Sequence, residues 1–182
     1  MIPHCSVYIA TSIDGFIAGE DGELSFLAVA DSETHDYGYR SFIDRVDAIV
    51  MGRGTYEAGL AFPSWPYEGK RVIVLTSGAA PTSLHGEEFV AGDIPTLLER
   101  LGSEGVHRVY VDGGATIRSF LAAGFIDDLT ISIVPVLLGR GIPLFGMGIP
   151  RLSLELVGSE SYDTGLVQLR YRVARGGAGD NT

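Results

Sequence analysis

The sequence predicts a single α/β domain: a mixed, mostly parallel sheet flanked by helices and finished by a C-terminal antiparallel hairpin. Three observations predict it. Apolar, β-branched runs alternate with segments of helical period through the first two thirds of the chain, after which strands follow one another. The early runs, such as "DAIVMG" and "RVIVLTS", are almost continuously apolar, as expected of parallel strands covered on both faces. The last two, "LSLELVGSES" and "LVQLRYRV", alternate better and lie close together, as the arms of a hairpin do. A chain of 182 residues that is 46% hydrophobic suffices for one packed core.

In chain order, strands are expected at "SVYIA", "DAIVMG", "RVIVLTS", "RVYVDGG", "LTISIVPVLLG", "LSLELVGSES" and "LVQLRYRV", each bounded by turn residues. Helices are expected from Glu33 to Asp44, from Gly54 or Thr55 onward, from Ile94 to Gly102 and from Thr116 to Ala123. No internal repeat or linker divides the chain, so residues 1–174 form one domain. The tail "RGGAGDNT", residues 175–182, is too glycine-rich and polar to bury surface and is expected to be disordered.

A formal net charge of −10 argues against nucleic acid or anionic membrane as a partner, because both need clustered Lys and Arg. The one cysteine, Cys5, excludes an internal disulfide and the paired-cysteine zinc site of a nucleobase deaminase. His4, His35, His85 and His107 show no ligand spacing, so no metal is expected. The start lacks a basic flank and a long apolar run, and no stretch approaches the roughly 20 apolar residues of a membrane span. A soluble, cytoplasmic protein is expected.

Chemistry concentrates at strand ends. In "VYVDGGATIRSFL" two glycines stand where a strand meets a helix whose first turn holds Ala115 and Thr116. Unpaired N–H groups there, with the helix dipole, suit a diphosphate, although a Gly-Gly pair reads equally as a tight turn. A side chain at Gly114 is expected to stand between the helix and such a ligand. "DAIVMGRGTYEAG" repeats the arrangement with Gly52, Arg53, Gly54 and Thr55, adding a guanidinium whose planar fork matches a phosphate such as an adenosine 2′-phosphate. At a third strand end, Thr76 and Ser77 present hydroxyls. The G-x-G-x-x-G fingerprint is missing after the first strand, which disfavours a Rossmann domain.

The order of "ATSIDGFIAG", "VMGRGTYE", "VIVLTS", "VDGGATIRSFL" and "ISIVPVLLGRGIPLF" resembles the dihydrofolate reductase superfamily, and within it the reductase domain of riboflavin biosynthesis and its stand-alone relatives. The resemblance covers Val7 to Val173. It implies a dihydrofolate-reductase-like fold, NADPH as hydride donor and frequent homodimers. It places Gly52, Arg53, Gly54 and Thr55 around the 2′-phosphate and pyrophosphate, and Thr76 and Ser77 beside the ribose phosphate. Gly113, Gly114, Ala115 and Thr116 would cover the other side of the pyrophosphate, while Ala10 and Ile17 would line the nicotinamide pocket. The long apolar tract "LTISIVPVLLG" also suits a homodimer interface.

The nicotinamide carries the redox chemistry, so the protein need only position it, exclude water and supply a proton. Two carboxylates are candidates for that acid. Asp14 lies in a "DG" pair that is often acidic in the family but is also a common turn. Asp36 is placed by spacing alone near the substrate-binding carboxylate of folate-reducing enzymes, with Asp31 and Glu33 close by. Phe26 stands where many stand-alone relatives carry Trp, and Trp65 either lines the pocket or packs a proline-rich loop. Arg140, in "LLGRGIPLFGMG", either meets an anionic substrate group or is simply solvated. The riboflavin-pathway reductase acts on a ribosylated pyrimidine bearing a phosphate; this chain also lacks the Pro-Trp pair of true dihydrofolate reductases. The expectation is an NADPH-dependent reductase of a small pterin-like or flavin-precursor-like heterocycle. The alternatives are an NADPH-binding sensor without turnover and a purely structural dimer.

Overall fold

The computed structural model describes residues 1–78 and 81–174; the tail expected to be disordered lies outside them. The elements run β1 (His4–Ser12), β2 (Phe16–Ala18), a 3-10 segment (Ser25–Ala30), α1 (Tyr39–Ile43), β3 (Ala48–Gly52) and α2 (Arg53–Leu60). They continue with β4 (Arg71–Leu75), β5 (Glu88–Val90), α3 (Ile94–Ser103), β6 (Arg108–Asp112), α4 (Gly114–Ala122), β7 (Asp128–Val134), β8 (Ile142–Pro143), β9 (Leu154–Ser161) and β10 (Val167–Val173).

One sheet carries eight of these strands in the order β5-β4-β3-β6-β1-β7-β10-β9, and β2 pairs separately with β8. From β5 to β7 every pairing is parallel, and β10 runs antiparallel to both β7 and β9. The mostly parallel sheet and its antiparallel finish are thus as the patterning predicts. The continuous apolar runs are explained by two cores. Ala48 and Val50 of β3 face Leu97, Leu98, Leu101, Ile117 and Phe120 of α3 and α4, whereas Ile49 and Met51 face Tyr56 of α2 and Phe42 of α1. Full burial of each large apolar side chain stabilises the fold by roughly 1.5–3 kcal/mol. Among the described residues no helix is long and apolar enough to cross a membrane.

Three local expectations change. The helix predicted from Glu33 to Asp44 shrinks to Tyr39–Ile43, because Tyr37 and Gly38 take positive φ values of 54° and 86°, outside the helical region. Asp36 therefore precedes the helix instead of riding on it. The tract "LTISIVPVLLG" is a strand only to Val134; beyond it Val136 and Leu138 fold back onto a small cluster around Phe26 and Leu166. The short strands β2, β5 and β8, two or three residues each, are too brief to show a periodicity.

Candidate functional site

Register brings the two glycine junctions together. Strands β3 and β6 are parallel neighbours with Met51 opposite Asp112, so the next residues, Gly52 and Gly113, leave the sheet side by side. Helices α2 and α4 consequently begin next to each other. A Cβ on Gly113 would collide with Thr55 Oγ1, and one on Gly52 would lie 3.0 Å from Thr116 Oγ1, so each junction leaves room for the other helix's first turn. Gly113 also has φ +88°, a conformation L-residues rarely adopt. Neither α2 nor α4 has a side-chain N-cap hydrogen bond, in contrast to α3, where Asp93 accepts from Thr96 N at 2.9 Å. The first-turn N–H groups of both helices are thus left to other acceptors.

The sheet opens beside these helix starts. β1 pairs with β6 only as far as Ser6 opposite Tyr110; beyond that point β1 follows β7 up to Ser12 opposite Val134, while β6 follows β3. The gap falls where the chain, after β5 and α3, has returned into the middle of the sheet as β6, the carboxyl-end crevice where ligands bind in open α/β sheets. A cleft of ≈ 1060 Å³ occupies it. Its floor includes Tyr8, Ala10, Tyr110 and Asp112, the small β2–β8 sheet contributes Ile17 and Ile142, and the segment from Glu20 to Leu24 forms a wall. Ala10, Ile17, Gly52, Arg53, Gly54, Thr55, Gly113, Gly114, Ala115 and Thr116 all line this one cleft.

The remaining residues singled out from the sequence do not line it. Thr76 and Ser77 stand at the end of β4, two strands from the gap, and Thr76 Oγ1 accepts from Gly78 N. Asp14 braces loops: its carboxylate accepts from Ser12 Oγ at 2.6 Å, Leu138 N at 3.1 Å and Gly139 N at 2.6 Å, and these bonds, led by that of Ser12, lower its pKa. Asp36 accepts from Gly38 N and Arg40 N at the start of α1, which lowers its pKa too. Phe26 is buried against Val134 and Leu166. Trp65 stacks on His85 with ring centroids 4.8 Å apart and packs 3.1 Å from where a Cβ of Gly59 would stand. Arg140 is 80% exposed and pairs with Glu20 at 3.3 Å, outside the cleft's lining.

Asp112 is the group that motif reading passed over. It ends β6 immediately before the glycine pair, is buried, and lines the cleft. Tyr67 Oη donates to its Oδ2 at 2.6 Å and Gly113 N donates to Oδ1 at 2.8 Å. Burial nevertheless raises its pKa, outweighing those hydrogen bonds. Tyr8, which lines the same cleft, is pushed up to about 12 by burial. The signal in the sequence was an acid directly preceding Gly-Gly at a strand end, where a side chain faces whatever the glycines admit. Arg53 is half exposed, and its Nε donates to Glu57 Oε1 at 2.9 Å, one turn along α2.

Residues 3–168 match the RibD C-terminal domain family. The chain is 36% identical over 169 residues to the uncharacterized protein YwjB of Bacillus subtilis (strain 168), covering 91% of this chain and 95% of that one. A solved structure from Shewanella sp. PV-4, of a protein assigned to riboflavin biosynthesis, superposes with a TM-score of 0.88 at 36% identity, over 96% of this chain and all of the other. Dihydrofolate reductase from Enterococcus faecalis, solved with NADP(H), superposes with a TM-score of 0.63 at 17% identity, over 94% and 96% of the two chains, and so shares the fold. The parallel sheet split beside two glycine-led helices belongs to a dihydrofolate-reductase-like fold, and the chain belongs to the RibD C-terminal domain family.

Proposed function

We propose that the protein is a cytoplasmic, NADPH-dependent reductase of the riboflavin-pathway type that reduces a small heterocyclic substrate. One observation carries the reading: two helices with uncapped, glycine-led N-termini start side by side on one cleft, with an arginine in the first turn of α2. That arrangement fits a dinucleotide. The adjoining N–H groups of Gly54, Thr55, Ala115 and Thr116 suit a pyrophosphate, and Gly52 and Gly113 keep the approach free of side chains. Arg53 suits the 2′-phosphate, exchanging its exposed partner Glu57, an ion pair worth little in water, for a phosphate.

When bound, the dihydronicotinamide supplies the hydride. Ala10 and Ile17 would hold its ring in the split between β1 and β6, and the β2–β8 sheet would cover it from water. Asp112, on the floor of the same cleft, would supply the proton: its carboxyl, raised by burial, retains a proton to higher pH than an exposed aspartate and could pass it to a reduced ring nitrogen. Tyr67 fixes the orientation of that carboxyl. Support also comes from the family and from the NADP(H) held by the dihydrofolate reductase of the same fold. Titration with NADPH, followed by a screen of pterins and flavin precursors for loss of absorbance at the nicotinamide band, tests the proposal. Binding with turnover supports the reductase; binding without turnover across the screen favours a sensor; no binding removes both.

A further inference from the structure

We infer that Trp65, stacked on His85, is a positioning residue for Asp112: it holds the hydroxyl of Tyr67 on that carboxyl from a loop outside the sheet. The inference rests on the reading of Asp112 as the proton donor. Residues 61–70, between α2 and β4, form neither helix nor strand, and among residues 61–69 only Trp65 and Tyr67 are buried even in part. Side-chain packing therefore sets where this loop lies. Trp65 occupies a slot opened by Gly59, where a Cβ would stand 3.1 Å from its ring and 3.6 Å from that of Tyr67. Tyr67 and Tyr56 meet the indole edge to face, with centroids 5.2 Å and 5.8 Å away. From that place the Tyr67 hydroxyl reaches Asp112 Oδ2 at 2.6 Å.

The indole is also held from a second loop. His85 lies flat against it, with ring centroids 4.8 Å apart and planes 4° from parallel. His85 sits on a turn that the buried Glu87 carboxylate organises, accepting from Ser83 Oγ at 2.8 Å and from the N–H groups of Leu84 and His85 at 3.0 Å. Trp65 does not line the cleft, so its effect on the acid passes through Tyr67. Asp112 faces titratable side chains from three elements: Tyr67 of the loop, Tyr110 of β6 and Tyr39 of α1. All three are phenols that burial holds above their ordinary value, so they present no charge to it at neutral pH. The charged side chains that share the cleft lining with it are Glu20, Asp21, Glu23, Arg53 and Glu57. Tyr110 Oη gives its proton to the Tyr8 carbonyl at 2.9 Å. Tyr67 is therefore the hydroxyl that donates to Asp112, and its bond, ahead of those from Gly113 N and Tyr110, opposes the upward pull of burial on that carboxyl. A loosened Trp65 frees Tyr67 to leave, and the carboxyl then keeps its proton to higher pH.

Titration of the Asp112 carboxyl carbon by NMR tests the inference without any substrate. Tyr67→Phe is expected to raise its pKa by about 1, in line with the loss of a hydrogen bond to a charged group. Trp65→Leu is expected to raise it by at least half as much, His85→Ala by a smaller amount, and Trp65→Phe to keep most of the wild-type value. In a Tyr67→Phe background neither Trp65→Leu nor His85→Ala is expected to move it further, because the hydroxyl they act through is gone. The inference is overturned if Trp65→Leu and His85→Ala leave the pKa at its wild-type value or lower it, or if they shift it equally in both backgrounds. His85 is exposed, so its variant decides the point should Trp65→Leu fail to fold. The pH dependence of NADPH oxidation is followed separately: absence of turnover, or a profile that ignores the shifted carboxyl, removes Asp112 as the acid, while the carboxyl titration still decides the role of Trp65.

Discussion

Asp112 illustrates how a residue's neighbours set both its chemistry and its effect on stability. Burial raises its pKa in the folded state above the 3.8 of an exposed aspartate, so the folded protein binds that proton more tightly than the unfolded chain. Its favourable contribution is therefore fully present below pH about 3.8 and is lost as pH rises through the folded value. Replacing it by Asn removes the ionisation but disturbs the bond to Gly113 N at every pH. The difference in Tm between Asp112→Asn and the wild type is accordingly expected to shift in the variant's favour from pH 4 to pH 8, while turnover falls by about 10²-fold or more, the usual effect of losing a positioned acid. A Tm difference independent of pH would contradict the raised pKa. Arg53→Ala makes a separate prediction. Hydrogen bonds to charged groups contribute about 1.5–3 kcal/mol, so the variant should lose at least about tenfold in NADPH affinity and almost nothing in NADH affinity; parallel losses would assign the 2′-phosphate to another residue. At this scale the position of Arg53 and the glycines at strand-to-helix junctions was legible from strand ends followed by glycine, and the structure brings them to one cleft. Asp14 and Asp36 were not, because an aspartate that ties a loop and one that donates a proton look the same until their partners are seen.

Between elements, the glycine pair has a more specific meaning than its sequence suggested. A side chain at Gly114 would not simply face a ligand: its Cβ would lie 2.9 Å from Ile17 Cδ1 and 3.2 Å from the Pro143 carbonyl oxygen, so Gly114 also admits the β2–β8 cover. The stricter requirement falls on Gly113, through its positive φ and its approach to Thr55. Gly113→Ala should destabilise the protein by on the order of 1–3 kcal/mol from backbone strain, and because it pushes α2 and α4 apart it should weaken NADPH binding as well. Asp93→Ala provides the contrast. It removes the cap of α3, a helix outside the cleft, and should lower stability by about 1 kcal/mol with NADPH affinity unchanged. Equal effects of both variants on affinity, measured beside chemical denaturation, would show that binding follows global stability instead of the geometry of the junction. The long strands and α2, α3 and α4 were legible from period and punctuation. The shortened α1 was not, since its late start depends on the positive φ at Tyr37, a residue type with no preference for it.

For the molecule as a whole, the sequence carried the parallel sheet and its hairpin but not the insertion of β6 between β3 and β1, which creates the split and hence the cleft. That topology depends on which strands pair across long separations, and no local pattern records it. The same holds for assembly. The apolar tract that suggested a dimer is largely spent on β7 and on packing near Phe26, and the exposed apolar surface instead includes Leu154, Leu156 and Val157 on the edge strand β9. We expect a homodimer through that edge: light scattering at micromolar concentration should give about twice the chain mass of 19.4 kDa, and Leu156→Lys should return it to the monomer. The central claim, that one dinucleotide lies across the adjoining starts of α2 and α4, is tested most directly by backbone amide NMR during an NADPH titration. The largest saturable shifts are predicted at Arg53, Gly54 and Thr55 together with Gly114, Ala115 and Thr116. Saturable binding that leaves either group of amides unmoved would contradict it.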